Sequence, residues 1–170
     1  MQKTKKKKLA FVFWIFAILD IAGITANADM LHFAAKPLLI PVLFLLLAYT
    51  KSTVPRKKLL LTGLFFSWLG DVFLLFEHKN DLFFIFGLAS FLTTHIFYII
   101  YFLRISSANL SLLKKQPILI AIVLAYGITL VWQLFPHLGA LKLPAIIYAA
   151  VICTMLLCSL PISFNVNKKP

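Results

Sequence analysis

The sequence predicts an all-α fold, a polytopic transmembrane helical bundle with about six spans that forms one domain over residues 1–170. Three observations predict it: 62% of the residues are hydrophobic, only 13% are charged, and the mean hydropathy is +0.97. A soluble domain has about 45–50% apolar residues and about a quarter charged ones. Lipid must therefore be the solvent for much of this chain.

Six apolar stretches follow one another, each near the length of about 20 residues that a helix needs to cross a bilayer. They are residues 9–26, 31–49, 59–76, 82–103, 117–135 and 143–164. Helices are expected because an isolated strand would leave its backbone polar groups unpaired in lipid, and the alternation of a membrane barrel is missing. The polar joints between the stretches are short, as in neighbouring antiparallel helices.

Charge predicts the orientation of the bundle. One side has clustered basic residues: Lys3, Lys5, Lys6, Lys7, Lys8, Lys51, Arg56, Lys57, Lys58, Arg104, Lys114, Lys115, Lys168 and Lys169. The opposite side has only Lys79 and Lys142, together with Asp29, Glu77 and Asp81. The positive-inside rule then places both termini in the cytoplasm. The net charge of +12 suits anionic headgroups better than nucleic acid, because the basic residues lie at segment ends.

The first segment has an alternative interpretation. Its lysine run, its apolar core and Ala26-Asn27-Ala28 resemble a cleavable signal peptide. Asp20 within the segment disfavours cleavage, and six spans satisfy the charge rule without it. We therefore expect this segment to remain as a span.

Four ionisable residues fall inside the predicted spans: Asp20, Lys36, Asp71 and His95. Such a group costs about 2.5–3.5 kcal/mol on insertion, so each needs a partner or a purpose. At about 1.5 Å per residue, Asp20, Lys36 and Asp71 all lie roughly 8–9 Å below the outer edge, at the depth of Tyr148. The common depth of these residues predicts that they share a polar cavity. An ion pair that serves only assembly, and a His95 that only bonds to a neighbouring helix, remain open as alternatives.

Small residues and prolines predict how the helices pack. Ser67 and Asp71 are four residues apart and share a helix face, which is expected to point into the bundle. Small residues with the same spacing allow close helix contacts: Gly63 with Ser67, Ala89 with Thr93, Ser90 with Thr94, and Ala149 with Cys153. Pro37 and Pro41 are expected to kink the second segment and to free backbone carbonyl groups.

Several chemistries are disfavoured. No glycine-rich phosphate loop is present, which argues against an ATP-driven pump. Catalytic zinc usually has three protein ligands, and only His95 is clearly intramembrane among the histidines. Ser67, His95 and Asp71 lack the GxSxG context of a hydrolase triad. We expect no metal and no cofactor.

An ordered series of short motifs runs from the second segment to the sixth. It consists of Lys36-Pro37-Leu38-Leu39, Gly63-Leu64-Phe65-Phe66-Ser67-Trp68-Leu69-Gly70-Asp71, Phe86-Gly87, His95 with Tyr98, and Tyr148. In its order and spacing this series resembles the YhhN-like family, which includes the lysoplasmalogenases. The resemblance covers about residues 30–160. Members are usually longer, so this chain is expected to lack their C-terminal spans.

The resemblance implies a multi-span hydrolase that cleaves the vinyl-ether bond of lysoplasmalogens to a fatty aldehyde and a glycerophospho-base. This chemistry needs a carboxylic acid that is still protonated near neutral pH, a form that burial favours. The implied catalytic residues are Asp71 as general acid, Asp20 beside the cation or the water, and His95 as proton relay. The implied substrate-binding residues are Lys36, Ser67, Tyr98 and Tyr148.

Two questions stay open in the sequence. Lys36 could hold the substrate phosphate or could pair with Asp71. The protein could also be a non-enzymatic transporter, lipid-binding protein or assembly partner, although no inverted repeat typical of secondary transporters is evident. In either case we expect membrane lipids as partners, with a lysophospholipid as the substrate of an enzyme, and an oligomer would help short helices to enclose a cavity. The expected location is the bacterial cytoplasmic (inner) membrane.

Overall fold

The computed structural model describes residues 2–26, 29–49, 54–105 and 116–166. Within these ranges every regular element is helical, which confirms the all-α class. The six α-helices are α1 (Gln2–Thr25), α2 (Asp29–Ala48), α3 (Lys57–Leu74), α4 (Asp81–Ile105), α5 (Pro117–Leu134) and α6 (Lys142–Val166). Short 3₁₀ turns at Glu77–Lys79, Phe135–His137 and Gly139–Leu141 lie between helices.

Four helical stretches of the described chain are long and apolar enough to cross a membrane. They are Lys7–Thr25, Asp81–Ile105, Pro117–His137 and Lys142–Ile162. In addition, α2 contains the shorter apolar stretch Lys36–Ala48. Large apolar side chains point outward, and Trp14, Ile128 and Trp132 are 64%, 69% and 74% exposed. Outward-facing apolar surface of this extent is suited to lipid, so the protein is a membrane helical bundle.

The start of α1 differs most from the predicted spans, and every other helix end lies within two residues of its predicted position. The first helix begins at Gln2 and not at residue 9, because hydropathy marks the start of lipid contact, whereas lysine favours a helix in water as well. The third helix ends at Leu74, and the 3₁₀ turn Glu77–Lys79 follows after two residues. After that turn, Oδ1 of Asn80 accepts a hydrogen bond of 2.9 Å from the backbone N–H of Leu82 and caps the start of α4.

The predicted charge pattern lies only partly within the described chain. Lys57 and Lys58 begin α3, and Arg104 lies in the last turn of α4. Other residues of the predicted patterns lie outside the described residues: Asn27, Ala28, Lys51, Lys114, Lys115, Lys168 and Lys169. The orientation with both termini in the cytoplasm stays a prediction.

Contacts divide the chain into two units, Met1–Thr94 and His95–Pro170. The first unit holds α1, α2, α3 and the beginning of α4. The second unit holds the remainder of α4 with α5 and α6. The single domain expected from the sequence stays a prediction.

In the first unit, α3 and α4 pack closely through small residues. The hydroxyl of Thr94, which is 2% exposed, donates a hydrogen bond to the carbonyl of Gly63 at 3.1 Å, and the carbonyl of Ser90 lies at the same distance. A Cβ on Gly70 would come within 2.9 Å of the Phe91 ring. The small residues therefore allow a close contact between these helices, as their spacing predicted.

In the second unit, α5 and α6 meet at a glycine and a cysteine. The thiol of Cys153 is buried and lies 3.7 Å from the carbonyl oxygen of Val123. A Cβ on Gly127 would lie only 2.5 Å from Sγ of Cys153. Cys153 and Cys158 are both free thiols, and Cys153 acts as the small packing residue that the sequence predicts.

Candidate functional site

Asp71 lies in the last turn of α3 and is half-buried. Ser67 is also half-buried and shares its helix face, four residues earlier. The neighbouring Gly70 is buried. A Cβ on Gly87 of α4 would lie 3.3 Å from the carbonyl oxygen of Gly70. This polar face of α3 is therefore held next to a tight contact between two helix backbones.

A cation and a second carboxyl group act electrostatically on Asp71. The charges of Lys36 on α2 and Asp20 on α1 both act on the Asp71 carboxyl group. Lys36 and Asp20 are half-buried as well. Three charged side chains from three helices of the first unit thus interact electrostatically, and the common depth given by the residue count stays a prediction. Among apolar side chains such charges interact more strongly than they would in water.

A hydrogen bond between α2 and α3 fixes the level of these residues. Pro41 has no backbone N–H, so the carbonyl of Pro37 has no donor within its own helix. Nε1 of Trp68 on α3 donates a hydrogen bond to that carbonyl at 3.0 Å. Lys36 directly precedes Pro37, and Asp71 follows Trp68 by three residues. The bond therefore aligns the two charged residues.

The positioning role of Trp68 is not predicted from the sequence. The prolines of α2 predict free carbonyl groups, but their spacing indicates no donor. A signal is nevertheless present, because an indole N–H in apolar surroundings usually finds an acceptor. Trp68 is the single tryptophan of α3, so its N–H is a candidate donor on that helix.

An apolar groove lies beside the charged residues, between α2 and α3. We call it the α2–α3 groove, and its volume is about 310 Å³. Its lining from α2 consists of Ile40, Pro41, Phe44 and Leu45. Its lining from α3 consists of Leu64, Phe65 and Trp68. All of these side chains present hydrocarbon or aromatic surface, so the groove suits a hydrocarbon ligand.

The second unit contains the other predicted site residues, His95, Tyr98 and Tyr148. The rings of His95 and Tyr148 lie 5.4 Å apart between centroids, at an angle of 33°. Nδ1 of His95 is buried and has no hydrogen-bond partner. Tyr98 is half-buried and follows His95 by three residues on α4. A buried polar atom without a partner is rare in proteins and often marks a functional position.

A second apolar groove, of about 650 Å³, lies between α5 and α6. Trp132 and Phe135 from α5 and its following turn line it together with Ile146 and Leu157 from α6. No charged side chain belongs to its described lining. Its described lining therefore supplies mainly apolar surface, with no carboxyl, imidazole or amine group.

Within the described ranges, no group of three or more His, Cys, Asp and Glu side chains lies close enough to hold a metal ion.

Comparison with known proteins gives a family. No curated protein and no solved structure matches the chain. The profile of the YhhN family matches residues 31–170. This range contains Lys36, Ser67, Asp71, His95, Tyr98 and Tyr148, whereas Asp20 precedes it. Because the match extends from the second helix to the end of the chain, this protein belongs to the YhhN family.

Proposed function

We propose that this protein is a membrane-embedded lysoplasmalogenase, which hydrolyses the vinyl-ether bond of lysoplasmalogens. The observation that carries the proposal is a half-buried carboxyl group, Asp71, flanked by the charges of Lys36 and Asp20 inside an apolar bundle. Membership of the YhhN family supports it, because the motif series resembles a family that includes the lysoplasmalogenases. Intramembrane charges are functional by default, because their insertion is unfavourable.

The reaction needs an acid and a water molecule. Protonation of the vinyl carbon remote from the ether oxygen gives an oxocarbenium ion. Water adds to this ion and loses a proton, and the resulting hemiacetal breaks into a fatty aldehyde and a glycerophospho-base with a free hydroxyl group. One water molecule is consumed, and the proton returns to the acid.

In this proposal Asp71 is the general acid. A carboxyl group works as an acid near neutral pH only if it keeps its proton there, and apolar surroundings favour the neutral form. The carboxyl group of Asp20 stabilises the oxocarbenium ion or positions the water. Ser67, on the same face of α3, orients polar groups of the substrate.

Lys36 binds the phosphate of the headgroup. Its long side chain can extend toward the membrane surface while its stem stays among apolar groups. The phosphate would then lie closer to the surface than the reacting carbon atoms. A carboxyl group at the level of a lysine whose side chain extends outward suits a lipid whose charged headgroup faces water.

The residues of the second unit have roles that rest on the family resemblance. His95, with its unpartnered Nδ1, transfers protons. Tyr98 and Tyr148 orient polar groups, and the contact between the Tyr148 and His95 rings supports a fixed imidazole plane. We also propose a bacterial inner-membrane location with both termini in the cytoplasm, because basic residues cluster at one side of the predicted bundle.

The test is aldehyde release by the purified full-length protein from a vinyl-ether lysophospholipid. We expect turnover with this substrate and none with the saturated-ether analogue, which cannot form the cation by protonation. Asp71→Asn should abolish turnover, while Asp81→Asn, at an exposed acid outside the site, should retain it. An inactive but folded wild-type protein would reject the function, and unchanged turnover in Asp71→Asn would reject the assigned acid.

A second candidate function is lipid binding without cleavage. The apolar α2–α3 groove next to Lys36 favours it, because a cation beside a hydrocarbon surface matches an anionic amphiphile. A lipid-binding protein would retain the saturated-ether and the vinyl-ether lysolipid equally and release no aldehyde from either. Saturable binding without any product would therefore replace the hydrolase by this alternative.

A further inference from the structure

One end of the α2–α3 groove lies about one helical turn from Lys36 and Asp71 along the chain. Ile40 lies one turn from Lys36 along α2, and Trp68 lies three residues from Asp71 along α3. From this end the groove continues to Leu45. At about 1.5 Å per residue, the distance from Lys36 to Leu45 along α2 is about 14 Å. A ligand bound at the charged residues therefore has a path along the two helices.

The groove surface is suited only to hydrocarbon. The one polar hydrogen of its lining, on Nε1 of Trp68, is already donated to the carbonyl of Pro37. The Trp68 ring lies 6.2 Å from the Phe65 ring, with a tilt of 39°, so that two aromatic rings line the α3 side. A ligand in this groove gains apolar contacts and no hydrogen bond.

The size of the groove selects for a narrow ligand. Its volume of about 310 Å³ is at the lower end of the range of about 300–1,000 Å³ that is usual for small-molecule sites. Its length follows the helices, so the cross-section is small. One hydrocarbon chain fits such a shape better than the two chains of a diacyl phospholipid.

We propose that the α2–α3 groove is the chain-binding subsite for a single-chain phospholipid whose headgroup lies at Lys36. The inference rests on the proposed function for the identity of this lipid. The cation of Lys36 complements the phosphate of the headgroup. The groove then accepts the chain.

This placement explains why Asp71 would be the acid. In a lysoplasmalogen the vinyl-ether bond joins the chain to the glycerol, so it lies between the hydrocarbon and the phosphate. Asp71 follows the groove-lining Trp68 by three residues along α3, and the charge of Lys36 acts on its carboxyl group. A lipid with its chain in the groove and its phosphate at the lysine therefore presents this bond to the Asp71 carboxyl group.

The test uses the fluorescence of Trp68. The chain has three tryptophans, and Trp14 and Trp132 are 64% and 74% exposed, so both can be changed to Phe with little loss of packing. In this single-tryptophan protein we titrate a saturated-ether lysophosphatidylcholine with a brominated chain, which binds but does not react. We expect saturable quenching of Trp68. Equal quenching by a brominated diacyl phospholipid in the bilayer would overturn the proposal, because the groove would then be an ordinary lipid-facing surface.

Two matched variants locate the bound chain. Leu45 lines the groove and is 43% exposed, whereas Leu38 on the same helix lies outside the groove lining and is 44% exposed. Leu45→Phe should raise the lysolipid concentration for half-maximal quenching about tenfold, which corresponds to about 1.4 kcal/mol. Leu38→Phe should leave it unchanged. If Leu45→Phe does not fold, Leu64→Phe takes its place, because it fills the groove from α3. The same rise in the lysolipid concentration for half-maximal quenching is expected.

The two levels of the proposal can fail separately. Suppose that the wild-type protein releases aldehyde, but the groove variants show the same quenching of Trp68 and the same turnover as Leu38→Phe. The hydrolase function then stands and the chain-binding subsite is wrong. If no aldehyde forms from the vinyl-ether lipid while quenching is saturable and sensitive to Leu45→Phe, the hydrolase is wrong and the chain-binding groove stands. If quenching is absent, the subsite is rejected whatever the activity.

Discussion

The indole N–H of Trp68 on α3 supplies the donor that Pro41 withholds from the carbonyl of Pro37 on α2, over a distance of 3.0 Å. An interruption of one helix is thus repaired by a side chain of the next helix, as membrane proteins require in apolar surroundings. Because Lys36 adjoins the acceptor and Asp71 lies within one turn of the donor, the same bond also sets the register of the candidate site.

The first prediction concerns the stability of this link. Trp68→Phe should lower the free energy of unfolding by about 1–2 kcal/mol, the magnitude of an interhelical hydrogen bond in a membrane model peptide. Thermal unfolding in detergent measures the change. Trp132→Phe is the control, because Trp132 is 74% exposed. Equal melting temperatures for the two variants would contradict a stabilising role for the bond.

A double-mutant cycle sharpens this test. Pro41→Ala restores a backbone N–H that can donate to the Pro37 carbonyl within α2. The loss in the free energy of unfolding caused by Trp68→Phe should therefore be smaller in the Pro41→Ala background than in the wild-type protein. Additive effects of the two substitutions would show that Trp68 stabilises the protein only through the packing of its ring.

The sequence predicts the level of the charged residues but not their surroundings. The depths of Asp20, Lys36 and Asp71 follow from counting residues along three helices, and a count needs no knowledge of how a helix is rotated. The contact between His95 and Tyr148 depends on the rotation of two helices that are distant in sequence, which hydropathy does not fix. The α2–α3 groove arises from the shapes of side chains on two helices together, so no single segment signals it.

The second prediction separates the two roles left open for Lys36. As a phosphate ligand, Lys36 binds substrate and transition state alike, so Lys36→Met should raise KM more than it lowers kcat. If Lys36 is instead a structural partner of Asp71, Lys36→Met should lower the melting temperature. Adding Asp71→Asn to the same chain should then restore the melting temperature. Steady-state kinetics and thermal unfolding of both variants decide between these roles. A change in kcat alone would contradict phosphate binding.

The third prediction concerns the unpartnered imidazole nitrogen of His95. His95→Phe keeps an aromatic ring next to Tyr148 and loses no hydrogen bond at Nδ1, which has no partner. The melting temperature should therefore stay unchanged or rise, whereas aldehyde release should fall if His95 transfers protons. A variant that is destabilised but retains its turnover per folded molecule would assign His95 a structural role.

The fourth prediction tests the close contact in the second unit. Gly127→Ala introduces a Cβ at 2.5 Å from Sγ of Cys153, so one helix must shift. We expect a loss of about 1–3 kcal/mol, the usual range for overpacking. Cys153→Ala removes the sulfur and should recover most of this loss in the double variant. Thermal unfolding in detergent provides the comparison, and a double variant no more stable than Gly127→Ala would contradict the contact.

The fifth prediction concerns orientation in the membrane. In a background with Cys153 and Cys158 changed to Ala, a single cysteine is placed at exposed His78, between α3 and α4, or at exposed Lys58, at the start of α3. The positive-inside rule puts the Lys58 end in the cytoplasm, because the basic residues cluster there. A membrane-impermeant maleimide added to intact cells should therefore label His78→Cys at once and Lys58→Cys only after permeabilisation. The opposite labelling order would invert the topology and would move the Asp71 level, with its lysine and groove, from the outer leaflet to the cytoplasmic one.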